Sequence, residues 1–268
     1  MQNGDELCLV GKADGPAAAP APARRGGFAW LGRHELGFIL GLAALCGGTW
    51  ALVALVDAVN HKDSQSIDEK ILLAMRNPRD LTDPVGPRWL KEMGRDITAL
   101  GSLGFQILLV AAVGGYLAMR GAHRALLLLV ATIGGGLTIT MSLKNLVARP
   151  RPNLIPHGSV VTGDSFPSGH SMMSTVTFFT LAVMLARIES RKGIKAFFLS
   201  LASVLAFVVG LSRVYLGVHW PSDVLAGWCL GLLWATVCWL VVHTLQRKGD
   251  VEAPATEASE LQNTGAHL

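Results

Sequence analysis

Residues 125–152 read ALLLLVATIGGGLTITMSLKNLVARPRP, and the change of character at Lys144 decides what kind of chain this is. Nineteen residues without a charge, Ala125–Leu143, are followed by Lys144, Arg149 and Arg151. A helix needs about 20 apolar residues to cross a hydrocarbon core of roughly 30 Å. Lipid satisfies no backbone polar group, so such a run crosses as a helix. The cations at its end therefore sit at membrane depth, where charge is expensive and marks function.

Working outward, five more runs qualify or nearly do: Leu36–Val59, Leu100–Met119, Met172–Ala186, Ala196–Leu211 and Val224–Leu245. The run from Met172 is short unless it begins at His170. Any one could be the buried helix of a soluble protein, but six in series argue against that. The chain is 51% hydrophobic and 16% charged, with mean hydropathy +0.43, whereas soluble domains run nearer a quarter charged. The expected fold class is all-α: a polytopic membrane protein with a six-transmembrane-helix bundle over residues 28–248, its core motifs within 144–223. Residues 1–27, with an Ala/Pro tract ended by Arg24 and Arg25, lack an apolar h-region. They read as a disordered N-terminal tail, the first span serving as signal anchor. Residues 249–268 read as a disordered C-terminal tail. The longest connection, Asn60–Asp96, holds seven basic and seven acidic residues and three prolines. It is expected to be partly ordered and to lie along the interface.

Cys8, Cys46, Cys229 and Cys238 contain no C-x-x-C pair and give no disulfide or zinc framework. A net charge of +4 and pI near 9.0 follow from basic residues flanking membrane helices. Without a basic stripe of interleaved aromatics, no nucleic-acid partner is implied. With six spans both tails share a side, which carries 12 of the 23 Lys and Arg against 11 opposite. The loops at 120–124 and 187–195 are short and densely basic, and short loops carry most of the topological signal. This places both tails in the cytoplasm and the catalytic clusters on the outer face of the cell (plasma) membrane. Gly227 with Gly231, and Gly37 with Gly41, are small-xxx-small pairs that permit close helix approach.

Three clusters carry the chemistry: Lys144 through Arg151-Pro152; Pro167-Ser168-Gly169-His170; and Ser212-Arg213, His219 and Asp223. All fall at span ends on one side. Three cations with one nearby carboxylate call for an anionic ligand. Arg151 and Arg213 offer planar forks that match phosphate oxygens, and Lys144 adds a point charge. Ser168 and Gly169 open a helix, whose N–H groups and dipole favour an anion. His219 with Asp223 is a base-plus-orienter pair in which one ring nitrogen stays free to attack phosphorus. His170 stands ready to protonate a leaving oxygen. With one aspartate among cations, no metal site and no cofactor is expected. Arg149 is ambiguous, its side chain expected to point away. Trp50, Trp220 and Trp239 read as interface or packing residues, and Arg120, Arg124 and Arg187 as snorkelling anchors. His157 is read as a bystander, and Ser174, Thr175 and Thr177 as hydroxyls bonded back to helix carbonyls.

The pattern K-x6-R-P, P-S-G-H and S-R-x5-H-x3-D resembles that of the type 2 phosphatidic-acid phosphatase superfamily, and all eleven specified positions match over roughly Gly94–Leu245. The resemblance implies a six-helix membrane core and metal-independent hydrolysis of a lipid phosphate or diphosphate. Phosphatidic acid, phosphatidylglycerol phosphate, undecaprenyl diphosphate and lipid A are the substrate types it leaves open. It implies His219 as nucleophile, Asp223 as its orienter, His170 as general acid, and Lys144, Arg151, Ser168, Gly169 and Arg213 as the phosphate cradle. The partners implied are the lipid substrate and the bilayer. A phosphotransferase on the same scaffold, a haloperoxidase and a non-enzymatic anion transporter are the alternatives. Phosphate release without an acceptor, halide oxidation, and turnover in alanine variants would separate them.

Overall fold

The computed structural model describes residues 33–153 and 163–247. The expected tails, Cys8 and His157 lie outside the described residues. Helices α1 (Arg33–Asn60), α2 (Gln65–Ala74), α3 (Arg88–Ala99), α4 (Leu103–Met119), α5 (His123–Val147), α6 (Gly169–Ile188), α7 (Lys192–Tyr215) and α8 (Pro221–Arg247) follow in chain order. Between α2 and α3 a short antiparallel ribbon pairs β1 (Arg76–Asn77) with β2 (Asp80–Pro84). Phe38–Leu268 forms one compact unit; of the unit before it, Met1–Gly37, only the start of α1 is described.

Five helices, α1 and α5 to α8, are long and apolar enough to cross a membrane by themselves. The span expected at Leu100–Met119 is built differently. Its 17-residue helix, α4, meets α3 at a 50° bend, and only the two together are long and apolar enough for a sixth crossing. The bend has a local cause. Ser102 leaves helical geometry and caps α4, its Oγ accepting the Phe105 N–H at 3.3 Å. Gly101 beside it is pressed against α7, where a Cβ would stand 2.6 Å from Val209 Cγ1.

Half of the apolar window of α6 is buried, against 22% in α5 and α7 and none in α1, so α6 is the central post. Its first turns, Ser171–Thr177, are rich in small and hydroxyl-bearing residues that let neighbours close in. Gly227 and Gly231 of α8 lie against it so closely that a Cβ would meet Ser168 O at 2.8 Å and Thr175 Cβ at 2.7 Å. The small-xxx-small pair thus works within one chain. Trp234 and Trp228 of α8 cover Gly135 of α5 and Gly210 of α7. Each donates its indole N–H to a carbonyl of the helix it covers, Thr132 O at 2.7 Å and Ala206 O at 3.0 Å. An aromatic that brings a donor into an apolar interior needs such an acceptor. Ser174 and Thr175 bond back to Ser171 O at 3.2 and 2.7 Å. Thr177 departs from that expectation: its Oγ1 is buried with no partner. A helical threonine divides between two χ1 wells, so a reach back to the preceding turn is not obligatory.

The connection from Asn60 to Asp96 is ordered along its length and docks on the ends of α7 and α8. Leu72 joins Val214, Trp220 and Val224 in a buried cluster. Arg76 donates to Tyr215 O at 2.7 Å, and the Tyr215 hydroxyl donates to Val85 O at 2.8 Å. Leu40, Trp50, Leu108, Leu127 and Phe197 stay more than half exposed on the spans, which suits lipid as the surrounding solvent. Trp220, by contrast, is a packing residue, 5% exposed.

Gly227→Ala forces a methyl against backbone, whereas Gly47 has nothing within 4 Å of its Cβ position. We expect Gly227→Ala to destabilise the bundle by about 1–3 kcal/mol and Gly47→Ala to stay within about 0.5 kcal/mol of wild type. Melting temperatures in detergent measure both.

Candidate active site

The site is assembled from helix ends. Lys144 sits in the last turn of α5, which stops at Ala148 in a left-handed cap (φ 45°, ψ 39°). Pro150 follows and cannot continue a helix, so Arg149–Pro152 leaves as extended chain. Ser165 ties the returning chain to that exit, its N–H donating to Arg149 O at 2.8 Å and its hydroxyl contacting Arg149 O and Pro150 O. Ser168 then caps α6, accepting from the Ser171 N–H at 3.4 Å and the Ser171 hydroxyl at 2.9 Å. Its own N–H donates to Asp223 O at 3.0 Å, which fixes the start of α6 against the start of α8. The Ser168 N–H is thereby used, and the N–H groups left open at this helix start are those of Gly169 and His170, which have no intrahelical acceptor. Gly169 faces Lys144: a Cβ there would rest 3.9 Å from Lys144 Cε and 3.6 Å from Thr140 Cγ2.

Lys144, Arg151, Arg213 and His219 all lie within Coulombic reach of His170, so the three clusters converge. Lys144 Nζ donates to Asp164 O at 2.6 Å. Arg151 spreads over the rim: Nε to Gly163 O at 2.9 Å, Nη1 to Val218 O at 2.8 Å and Nη2 to Asp164 O at 3.4 Å. Arg213 donates from Nη1 to Thr98 Oγ1 at 2.7 Å, and its buried Nε has no protein acceptor. A buried cationic donor left open beside two other cations is what an incoming oxyanion satisfies. Among the described residues no group of three or more His, Cys, Asp or Glu is placed to share a metal ion.

His219 presents its two nitrogens to opposite partners. Nε2 faces Arg151 Nη1 at 3.3 Å, and Nδ1 faces Asp223 Oδ2 at 3.5 Å. The first contact requires Nε2 to carry the lone pair, which puts the ring proton on Nδ1 towards the carboxylate. That second distance is an ion-pair spacing, longer than a formed hydrogen bond, and Nδ1 has no nearer acceptor. Catalytic hydrogen bonds of this kind commonly tighten when ligand binds. Burial pushes the His219 imidazole down to about 4, against the opposing pull of Asp223. Burial likewise lowers the Arg151 guanidinium, with Asp223 and Asp164 opposing. The Asp223 carboxylate is held at both oxygens, Oδ2 by the Trp220 N–H at 3.0 Å and Oδ1 by Arg149 Nη1 at 2.7 Å.

Arg149, expected to point away, does turn from the cradle, but into a buried ion cluster rather than solvent. It bridges Asp223 and Asp68 of α2. Asp68, Arg149 in this bridging position and Thr98 behind Arg213 are contacts that sequence reasoning missed. One signal was available: Asp68 and Leu72 lie four residues apart on α2 and both are buried, so a charge lies on the inner face of that helix.

A sequence profile of the PAP2 superfamily matches residues 124–247. Phosphatidylglycerophosphatase B of Bacillus subtilis (strain 168) is 36% identical over 186 residues, 67% of this chain and 85% of that protein. The chain belongs to the PAP2 superfamily. A Lipid A 1-phosphatase of Rhizobium etli is 30% identical over 175 residues, covering 55% of this chain and 71% of that one. Among solved structures, this PAP2 chain superimposes on a transmembrane PAP2-type phosphatidylglycerolphosphate phosphatase from Bacillus subtilis with a TM-score of 0.66. That match has 29% identity and covers 75% of this chain and 96% of the other. The chain is thus a multi-pass membrane enzyme of a phosphatase family.

The depressed His219 value makes stability depend on pH with a definite sign. Between about 4 and the ordinary histidine value of 6.5, an unfolded imidazole holds a proton that the folded one refuses. The contribution is therefore complete above pH 6.5 and is lost as pH falls towards 4. We expect the melting temperature to fall less steeply from pH 7 to pH 4.5 in His219→Gln than in wild type, measured side by side in detergent.

Proposed function

We propose that this PAP2 enzyme hydrolyses the phosphomonoester of a glycerophospholipid phosphate, of the phosphatidylglycerol phosphate type, through a phosphohistidine at His219. The observation that carries the reading is the placement of His219: Nε2 beside the Arg151 guanidinium and Nδ1 towards Asp223. In this reading Lys144, Arg151, Arg213 and the N–H groups of Gly169 and His170 hold the phosphate oxygens, and Ser168 shapes the turn that presents them. Nε2 attacks phosphorus in line while His170 gives its proton to the departing alkoxide. The lipid leaves as an alcohol. Water then attacks the phosphohistidine, giving its proton back to His170, and inorganic phosphate departs. The cations stabilise the equatorial oxygens, where charge is greatest in the transition state.

The lipid class is supported by where the residues sit. Every contributing side chain lies at a helix end or in the short connection beyond one, which suits a scissile phosphate at headgroup depth, where a lipid presents it without leaving the bilayer. Confinement at fixed depth orients the headgroup for in-line attack. Phosphatidylglycerol phosphate is favoured among lipids because the relative named for it matches over 85% of its length. The Undecaprenyl-diphosphatase of Sulfolobus acidocaldarius, by comparison, aligns over 70 residues only. For sidedness, the basic loops at 120–124 and 187–195 support cytoplasmic tails and an active site on the outer face.

His219→Ala should remove essentially all turnover, and wild type should yield an acid-labile, base-stable phosphoenzyme. Excess EDTA should leave the rate unchanged and vanadate should inhibit. Phosphate release from long-chain phosphatidylglycerol phosphate should exceed that from glucose 6-phosphate in kcat/KM; equal efficiency on both would refute the lipid assignment. In a cysteine-free background, Asn153→Cys should react with an impermeant maleimide in intact cells and Ser190→Cys should not; the reverse pattern would invert the topology.

A further inference from the structure

Behind the charges that face the phosphate lies a second set that the reaction scheme above does not use. Side-chain exposure is 3% for Asp68, 10% for Arg149 and 0% for Asp223. Arg149 divides its fork between them: Nη1 donates to Asp223 Oδ1 and to Ser222 Oγ, each at 2.7 Å, and Nη2 donates to Asp68 Oδ2 at 2.9 Å. Asp68 also accepts from the Ser222 N–H at 2.9 Å and from the Ser222 hydroxyl. The Arg149 guanidinium lies 5.4 Å from the centre of the Trp220 ring, and Trp220 donates to both Pro150 O and Asp223. Buried charges are tolerated when they are paired and hydrogen-bonded, and here every carboxylate oxygen of Asp68 and Asp223 has a donor.

Charge counting shows what the arrangement does to the nucleophile. Asp223 alone beside Arg149 would be neutralised, and a neutralised pair offers little to an imidazole that must become cationic as it attacks. With Asp68 on the far arm of the guanidinium, the three groups together carry one negative charge, and Asp223 Oδ2 is the part of it that faces His219. Without Arg149, two carboxylates would face each other across Ser222.

We propose that Asp68 and Arg149 are positioning residues of the phosphatase reaction: Arg149 locks the Asp223 carboxylate towards His219, and Asp68 offsets the arginine's charge so that the carboxylate stays effectively anionic. The proposal rests on His219 as nucleophile and Asp223 as its orienter. It also assigns a reaction role to α2, which lies outside the residues that the superfamily profile covers.

The other groups acting on His219 are Arg151 and Arg213, with His170 near them and Lys144 behind; Asp164 faces Lys144 and Arg151. None of these changes in Asp68 or Arg149 variants, and neither does the substrate's own titration. Differences between variants therefore report the second set alone. Removing the negative charge in Asp68→Asn disfavours the imidazolium and moves the acid limb of kcat/KM to lower pH. Removing the positive charge in Arg149→Gln moves it to higher pH.

The experiment is a pH–rate series on the full-length enzyme in detergent with a long-chain lipid phosphate, wild type beside Asp68→Asn, Arg149→Gln and the double variant, with melting temperatures for each. We expect kcat to fall about ten- to a hundredfold in each single variant, the size seen when partners behind a ligating histidine are removed, with KM changed less than threefold. The acid limbs should shift in opposite directions. The double variant removes one charge of each sign and keeps the cluster's net charge at minus one, so it should return the limb close to wild type, with kcat still reduced. Unchanged limbs with only lower melting temperatures would make the cluster a structural staple and overturn the proposal. Should the single variants fail to fold, a double variant with wild-type kcat would overturn it equally. His219→Ala is run in parallel: if it retains turnover, the nucleophile reading fails, whereas its loss beside wild-type-like Asp68 and Arg149 variants refutes the positioning role alone.

Discussion

The closeness of α8 to α6 is the constraint on which the catalytic end depends. Gly227 and Gly231 remove the side chains that would hold the two helices apart, and the Ser168 N–H donates to the Asp223 carbonyl across the seam. That bond sets the start of α6, with its open N–H groups, beside the start of α8, with its carboxylate. The turn at Ser168–Gly169 and the carboxylate of Asp223 are thus one construction. Any residue larger than glycine at these two positions would push apart the helix starts that carry His170 and Asp223.

Around that seam the protein solves an electrostatic problem. Lys144, Arg151 and Arg213 are brought together at or just beyond the ends of apolar helices, where isolated partly buried cations are costly. Main-chain carbonyls of Gly163, Asp164 and Val218 and the Thr98 hydroxyl accept from these cations. Carbonyl oxygens steady a cation without neutralising it, so the field at the centre remains positive. The carboxylates are kept behind, where Asp223 and Asp68 share Arg149. The separation leaves one face ready for an oxyanion and the other anionic towards the imidazole.

Much of this was legible in the sequence because lipid imposes simple rules. Length and apolarity gave the spans, and the spacing of Lys144, Arg151, Ser168, His170, Arg213, His219 and Asp223 gave the cluster. What escaped depends on partners that spacing does not encode. Asp68 and Ser222 are 154 residues apart, and Thr98 meets Arg213 across 115; no local pattern links them. The Leu100–Met119 span read as one apolar run because hydropathy does not register a serine cap and a glycine pressed against a neighbour. Arg149 was hard to place because RPRP offers two arginines two residues apart, which a regular extended chain would put on one face. Here they meet different partners: Arg151 donates to the carbonyls of Gly163, Asp164 and Val218, and Arg149 joins the ion cluster.

The bond between Asp68 and Ser222 also orders events during synthesis. The carboxylate belongs to the second helix made, and the serine opens the last. At about 5–20 residues per second, a nascent chain needs on the order of ten seconds or more to supply the intervening stretch. Until α8 arrives, the inner face of α2 carries an acid without its serine, and His219 has no Asp223 beside it. The chain therefore completes its charge cluster and its His219–Asp223 pair in the same final step of biogenesis.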